Sequence, residues 1–322
     1  MSDINDFQPT SISHIVGQDH VRKIVEVALD YAHQTTQKFD HSLMVGPPGL
    51  GKTQLANVIA KEMATEFTEI LGQSFNSVSD LNAVLLATKE RSIVFIDEVH
   101  EMSKSLQTSL YLALDQKKIL IPGGKNGSTP MSIPIKDFSL LLATTDEYQL
   151  LQPLRDRMKL VLRFDFYSVE ELMQIVFQRS RGLGWDVEDD VFHEIGIRGK
   201  GTPRLALRLL ESAHRVCRAE GQHTITVSHL LRACDLEQID SLGLGLVEQK
   251  YLSFVCDSPT RLNVVSSMLG LPTRTVSEVT EPFLLRSGLI VKDDQGRRQL
   301  TEKGRKHLSE SCQLAGGIPS NE

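Results

Sequence analysis

The spacing of apolar and polar positions changes character several times along this chain. From Asp19 to His33, Val21, Ile24, Val25, Ala28, Leu29 and Ala32 recur at i, i+3, i+4, i+7, i+8 and i+11, which is one face of an amphipathic helix. Three later runs are almost wholly apolar: His41 to Val45 (HSLMV), Ser92 to Asp97 (SIVFID) and Phe138 to Thr145 (FSLLLATT). Such runs suit strands buried on both faces. With helical segments between them, among them Gln54 to Met63, they predict an α/β layered domain with a largely parallel sheet over residues 1–166.

Between the second and third runs, Lys117 to Ile135 carries Gly-Gly and Asn-Gly turn signals between two β-rich arms and predicts a protruding hairpin. Its arms present Ile119, Leu120, Ile121, Ile133 and Ile135, more apolar surface than a solvent-facing hairpin needs. That surface either meets a partner or packs on its own domain. Residues 167–241 have helical periodicity throughout, clearest in YSVEELMQIVFQRS and PRLALRLLESAHRVC, and predict a separate small helical domain. Residues 242–312 differ again: helices at LVEQKYLSFV, RLNVVSSML and TRTVSEVTEPFLLRSG precede two strand-like arms around DDQG. Three helices and a β-wing make a winged helix-turn-helix. The Gly-, Pro- and Ser-containing stretch 313–322 reads as a disordered tail.

Length and composition change this picture little. A chain of 322 residues exceeds what one core usually fills, in keeping with several domains. The amino terminus, MSDINDFQPT, has neither the basic segment nor the apolar core of a secretory signal, so a cytoplasmic protein with no membrane association is expected. Cys217, Cys234, Cys256 and Cys312 are scattered without metal-ligand spacing and read as reduced thiols. The net charge of −6 argues against a generally polycationic nucleic-acid binder, but the distribution is uneven. Leu246 to Cys312 holds ten Lys/Arg against eight Asp/Glu, so any DNA contact is expected there.

Chemistry enters at Gly46 to Thr53, GPPGLGKT, which fits the phosphate-loop template G-x-x-x-x-G-K-[ST] between a strand and a helix. Gly46, Gly49, Leu50 and Gly51, with Gln54 just beyond, are the positions expected to wrap the phosphates of a nucleoside triphosphate with backbone N–H groups at a helix N-terminus. Lys52 would reach the β- and γ-phosphates, and Thr53 would ligate Mg²⁺. Asp97 and Glu98 end an apolar strand, IVFIDE. There Asp97 would hold the magnesium shell and Glu98 would orient or deprotonate the attacking water. Thr144 and Thr145 end the third run, where a hydroxyl would meet the γ-phosphate or the water. PLRDR at Pro153 to Arg157 puts its arginines where the sheet domain ends, so that a fixed guanidinium there would reach a neighbour's nucleotide, and Arg204 in GTPR would clamp the γ-phosphate.

Taken together these motifs resemble the AAA+ ATPases and, within them, the Holliday-junction branch-migration motors of the RuvB family. The residues that carry the resemblance are HIVGQ at His14 to Gln18, GPPGLGKT, FIDEVH at Phe95 to His100, LLLATT, PLRDR, LRFDFY ending at Tyr167, RGKGTPR ending at Arg204, and EPFLLRSGLI at Glu281 to Ile290. The resemblance implies an AAA+ P-loop NTPase domain, a helical lid domain and a C-terminal winged-helix head. It implies Thr145 as first sensor, Arg157 as a finger acting in the adjacent subunit and Arg204 as second sensor. Ile15, Val16 and Tyr167 match the adenine pocket, and Lys292 and Arg297 match the DNA-contacting positions of the wing. It further implies a homohexameric ring on the arms of a four-way DNA junction, a RuvA-like partner at the hairpin 117–135, and a RuvC-like resolvase. Three departures stand out: ATTDEY for ATTRAG at the first sensor, Gln8-Pro9 for Arg-Pro, and DQGR for PRGR in the wing beside Asp293 and Asp294. Each acidic replacement weakens local attraction to DNA phosphates.

Other readings use the same residues. DEVH occurs as the box of a different helicase superfamily, but that requires a second ATPase core, and none follows Tyr167. A clamp-loader-like or remodelling AAA+ ATPase shares the core motifs and lacks a reason for the winged head. A nucleotide-switched DNA-binding regulator would use the winged head without work, and Glu98 and Arg157 speak against it.

Overall fold

The computed structural model describes residues 8–121 and 131–315. The chain divides into two compact units, one comprising Met1–Leu183 with Thr202–Arg204, the other Gly184–Gly201 with Leu205–Glu322.

In the first unit, α1 (Asp19–Thr35) leads into β1 (Ser42–Val45), the phosphate loop and α2 (Lys52–Glu62). Then come β2 (Phe67–Leu71), α3 (Val78–Ala87), β3 (Ile93–Asp97), α4 (Lys104–Gln116), β4 (Lys118–Ile121), β5 (Met131–Pro134), β6 (Ser139–Thr144), α5 (Gln152–Arg155), β7 (Leu160–Arg163) and α6 (Val169–Leu183). Five strands form one sheet in the order β2-β3-β6-β1-β7, every neighbour parallel. Successive side chains enter opposite cores. Leu43, Val94, Ile96, Leu140 and Leu142 pack with Leu81, Leu85, Leu106 and Leu110, whereas Met44, Ile93, Phe95, Leu141 and Ala143 pack with Val21, Val25, Leu29, Leu55 and Ile59. Each of the larger side chains contributes about 1.5–3 kcal/mol by leaving water, which is why the three central strands read as unbroken apolar runs. The edge strands FTEIL and LVLR are half exposed and carry polar residues, so their pattern was blurred and the sequence reading missed them.

Strands β4 and β5 pair antiparallel as expected, and the open question about their apolar arms is decided where side chains are described. Ile119 is buried, and Ile133 and Ile135 pack against the first core, so these residues cover their own domain. The side chains of Leu120 and Ile121 and the turn residues 122–130 lie outside the described residues. The third apolar run also ends one residue early: β6 stops at Thr144, and Thr145 lies exposed in the bend beyond it. Helix α6 clusters with the phosphate-loop unit, although the sequence reading opened a separate domain at residue 167.

The second unit contains α7 (Asp189–Arg198), most of α8 (Pro203–Ala219) and α9 (Val227–Leu236), with the short parallel pair β8 (Asp186–Val187) and β9 (Thr224–Ile225). It continues with α10 (Leu246–Phe254), α11 (Leu262–Leu269), α12 (Thr273–Thr275), α13 (Glu281–Arg286), the antiparallel wing β10 (Ile290–Lys292) and β11 (Arg298–Leu300), and α14 (Glu302–Ala315). The helix expected over Thr273 to Ser287 is not regular: a wide π turn over Val276–Thr280 separates α12 from α13. Pro282 follows at once, and a proline inside a helix has no N–H to give and crowds the preceding turn, so the helix widens there. Helix α14 follows the wing and runs to Ala315, so the first three residues of the stretch expected to be a disordered tail are helical, and 316–322 lie outside the described residues. Among the described residues no helix is long and apolar enough to cross a membrane.

Buried Glu281 organises this wing. It accepts from Tyr251 Oη at 2.6 Å and from Arg298 Nε and Nη2 at 2.6 and 3.1 Å, with Lys292 Nζ at 3.4 Å. Burial pushes its carboxyl up, but Arg298, Tyr251 and Lys292 outweigh burial and hold it below the usual range. Removing one partner of a buried pair costs about 3–5 kcal/mol, so both wing strands are pinned to α13.

His41 supplies a pH-dependent element in the first unit. Its Nδ1 accepts from Leu140 N–H at 2.8 Å, and burial, assisted by Lys38, lowers its pKa to about 4. The unfolded imidazole titrates near 6.5, so between these values the unfolded chain binds the extra proton. Stability is therefore expected to fall as pH drops from 6.5 towards 4, by at most about 1.4 kcal/mol per pH unit from this group. An NMR titration checks the cause: the His41 ring resonances should stay constant above pH 5, and a midpoint near 6.5 would contradict the assignment.

Candidate nucleotide site

The C-terminal ends of β1, β6 and β3 are adjacent because the three strands are parallel neighbours. The phosphate loop leaves β1, Thr144 ends β6, and Asp97 ends β3. Gly46 N–H donates to Thr144 O at 3.2 Å, tying the loop's first residue to the neighbouring strand. Lys52 is buried at the first turn of α2 and donates to the carbonyls of Gly46 and Pro47 at 2.7 and 2.9 Å. Burial lowers its pKa, against the opposing pull of Glu98 and Asp97, and Arg204 adds to the lowering.

Thr53 Oγ1 donates to Asp97 Oδ2 at 3.3 Å, so a hydroxyl and a carboxylate converge on one point. These hard oxygen donors fit Mg²⁺, which takes few protein ligands and completes its shell with phosphates and water. No cluster of three or more His, Cys, Asp or Glu among the described residues could hold a metal without such help.

Glu98 occupies a left-handed backbone conformation at φ 47°, unusual for a non-glycine residue and a conformation that clusters at functional sites. Its N–H donates to Asp97 Oδ1 at 2.9 Å. Its Oε2 is buried without a hydrogen-bond partner, 3.3 Å from His100 Nδ1 but not aligned with it. The same His100 nitrogen meets Thr144 Oγ1 at 3.0 Å. Gln54 Oε1 is also buried and unpartnered. Buried polar atoms are normally satisfied, so two orphans beside a phosphate loop mark a place built for polar contacts.

Behind Glu98 lies Gly72, where an added Cβ would stand 2.4 Å from Glu98 O. On the other side of the loop, Gly49 adopts φ +79°, and an added Cβ would meet Thr202 Cγ2 at 2.9 Å and Arg204 Cβ at 3.0 Å. Arg204 N–H donates to Gly49 O at 3.4 Å, while its side chain is exposed. Tyr167 Oη donates to Leu50 O at 3.1 Å, and burial pushes its phenol up to about 12. Val16 is buried, and Ile15 and Tyr167 pack on the second core. Gln18 fastens this corner through two bonds with the Asp165 backbone, at 2.6 and 3.1 Å.

Among the residues singled out from sequence, Gly46, Gly49, Leu50, Gly51, Lys52, Thr53, Gln54, Asp97, Glu98 and the backbone of Arg204 thus gather around one loop. Thr144, rather than Thr145, is the hydroxyl bonded to His100. None of the bonding partners of Arg157 belongs to the phosphate loop: its guanidinium pairs with Asp115, donates to Pro153 O and lies over Tyr111. In the wing, Arg297 Nε pairs with Asp293 Oδ2 at 2.7 Å and Lys292 with Glu281 at 3.4 Å, so both expected DNA contacts already have carboxylate partners. Sequence reading gave no role to His100, Gln18, Gly72 or Asp115. The position of His100 two residues after Glu98 was the one local signal; the other three act through contacts remote in sequence.

Three family models match successive parts of the chain: the Holliday junction DNA helicase RuvB P-loop domain over residues 7–164, the RuvB AAA lid domain over 167–240, and the RuvB C-terminal winged helix domain over 241–309. The chain is 36% identical over 318 residues to the Holliday junction branch migration complex subunit RuvB of Pseudothermotoga lettingae, covering 97% of this chain and 92% of that protein. It is 35% identical over 315 residues to the subunit of the same name from Tropheryma whipplei, covering 96% and 91%. Among solved structures, the Thermotoga maritima RuvB Holliday junction branch migration motor matches with a TM-score of 0.80 at 32% identity, over 97% of this chain and 99% of that one.

The contact behind Glu98 gives a specific expectation. Gly72→Ala should push the Glu98 backbone aside and cut ATP turnover about tenfold or more, since an ångström of misplacement can cost that much, while nucleotide affinity stays near wild type. Parallel binding and steady-state assays check it; unchanged turnover would mean that Glu98 tolerates the shift.

Proposed function

Because the chain belongs to the RuvB family, we propose that it is an ATP-driven, ring-forming motor that moves four-way DNA junctions by hydrolysing ATP between neighbouring copies. The observation that carries this reading is the convergence of Lys52, the Thr53 and Asp97 oxygens and Glu98 at the adjacent ends of three parallel strands.

Lys52 and the loop N–H groups hold the phosphates, and Ile15, Val16 and Tyr167 border the base. Thr53 and Asp97 hold Mg²⁺, which supplies charge neutralisation on the phosphate oxygens when bound. Glu98 orients the attacking water and takes its proton. Its Oε2, which has no hydrogen-bond partner, supports that role, with His100, bonded to Thr144, beside it at 3.3 Å. Thr144 and Thr145 together occupy the first-sensor position. Arg204 starts α8 against the loop and reads the γ-phosphate, while Arg157 enters the site of an adjacent copy as the arginine finger. In this reading residues 1–166 form the ATPase domain, 167–241 the lid and 242–312 the DNA-holding head. Six copies close the ring, the hairpin 117–135 meets a RuvA-like protein, and a RuvC-like resolvase joins the junction complex.

The wing departs from a strongly cationic reader. Arg297 is neutralised by Asp293, and Asp294 lies exposed beside it. The head therefore holds DNA weakly through its wing, and processive motion depends on the ring rather than on one subunit's grip.

Two measurements test the reading. ATPase and branch-migration assays on a synthetic four-way junction should show repeated turnover; stoichiometric binding without turnover would instead make the protein a nucleotide-switched DNA binder. Arg157→Ala should abolish steady turnover, a loss of about 10³-fold or more, with nucleotide binding retained, and wild-type turnover in that variant would remove the finger. For the wing, Asp293→Asn keeps an acceptor for the turn and deletes a charge. Its duplex-DNA affinity should rise about three- to tenfold at low salt, and the gain should shrink as salt rises.

A further inference from the structure

We propose that Asp115 is the positioning residue of the Arg157 finger, holding the guanidinium ready for the adjacent copy's nucleotide; this rests on the reading that Arg157 acts in that neighbouring site. Asp115 lies in the last turn of α4 and Tyr111 one turn earlier on the same face. Arg157 Nε donates to Asp115 Oδ1 at 2.8 Å and Nη2 donates to Oδ2, so the carboxylate grips one edge of the guanidinium side-on. Nη1 donates to Pro153 O, and the guanidinium carbon stands 5.0 Å from the centre of the Tyr111 ring.

An exposed ion pair on its own contributes little to stability. Here a carboxylate, a backbone carbonyl and an aromatic face act on one planar group from three directions, which selects one orientation for a side chain that otherwise has many rotamers. The donor inventory separates positioning from sequestration. Arginine has five N–H donors, and the three bonds to Asp115 and Pro153 engage one on each nitrogen. The remaining donors on Nη1 and Nη2 stay available for phosphate oxygens without any of these bonds breaking. A carboxylate serving as a lock would have to cap them.

The test uses the full-length protein with junction DNA. Asp115→Ala should lower kcat about tenfold, the scale of a misaligned catalytic group, with KM for ATP and nucleotide affinity unchanged, and Asp115→Glu should recover most of the loss. Adding Glu98→Gln subunits, which do not hydrolyse but present an intact Asp115 and Arg157, should raise turnover at the Asp115→Ala sites they adjoin. Wild-type or faster turnover in Asp115→Ala, or no rise on mixing, would overturn the proposal. Its failure is distinguishable from failure of the finger reading, because only the latter leaves Arg157→Ala active.

Discussion

The parallel pairing of β3, β6 and β1 is the constraint on which the remaining structure depends. These strands are buried on both faces, so their polar groups are confined to the ends, where burial does not strip them of partners. Because the strands run the same way, the ends that carry Asp97, Thr144 and the phosphate loop fall side by side. The Thr53 to Asp97 contact and the Gly46 to Thr144 bond follow from that alignment. Two independent helical layers hold it, one on each face, so the site rests on a sheet that cannot shift a strand without exposing both cores.

In both units cations are tied down by carboxylates. Glu281 with Arg298, Asp293 with Arg297, Asp115 with Arg157 and Glu147 with Arg163 are all formed within the chain. They differ in kind. Glu281 is buried and satisfies three partners, so it fixes the wing as architecture. The pairs at Arg157 and Arg297 are only partly shielded from water, where an ion pair is weak, and each guanidinium keeps N–H donors that its carboxylate does not engage. The proposed DNA and trans-acting functions are accordingly assigned to cations that the fold orients without burying.

Much of the central fold was legible because burial on both faces leaves an unmistakable apolar run, and because helix α1 has a clear 3.6-residue period. The edge strands β2 and β7 were not legible, since each has one solvated face or end and mixes polar with apolar residues. The proline at 282 was visible, yet its effect was not: only the packed helix reveals that strain is relieved by a π turn rather than by a break. The hairpin's isoleucines looked equally suited to a partner or to their own core. Ile119, Ile133 and Ile135 pack on the first core, and sequence periodicity has no means of distinguishing one apolar surface from another.

By itself the sequence determined the phosphate loop, the acidic strand end and the family resemblance, because these depend on residue types at short, fixed spacings. Tertiary structure alone decided which groups touch: His100 between Glu98 and Thr144, Gly72 behind Glu98, Gln18 on Asp165, and Asp115 gripping Arg157. Except for Glu98 with His100, these contacts join residues tens of positions apart. A local pattern specifies which strand or helix a residue belongs to, whereas its partners are set by the order in which strands pair and by the space that their side chains leave.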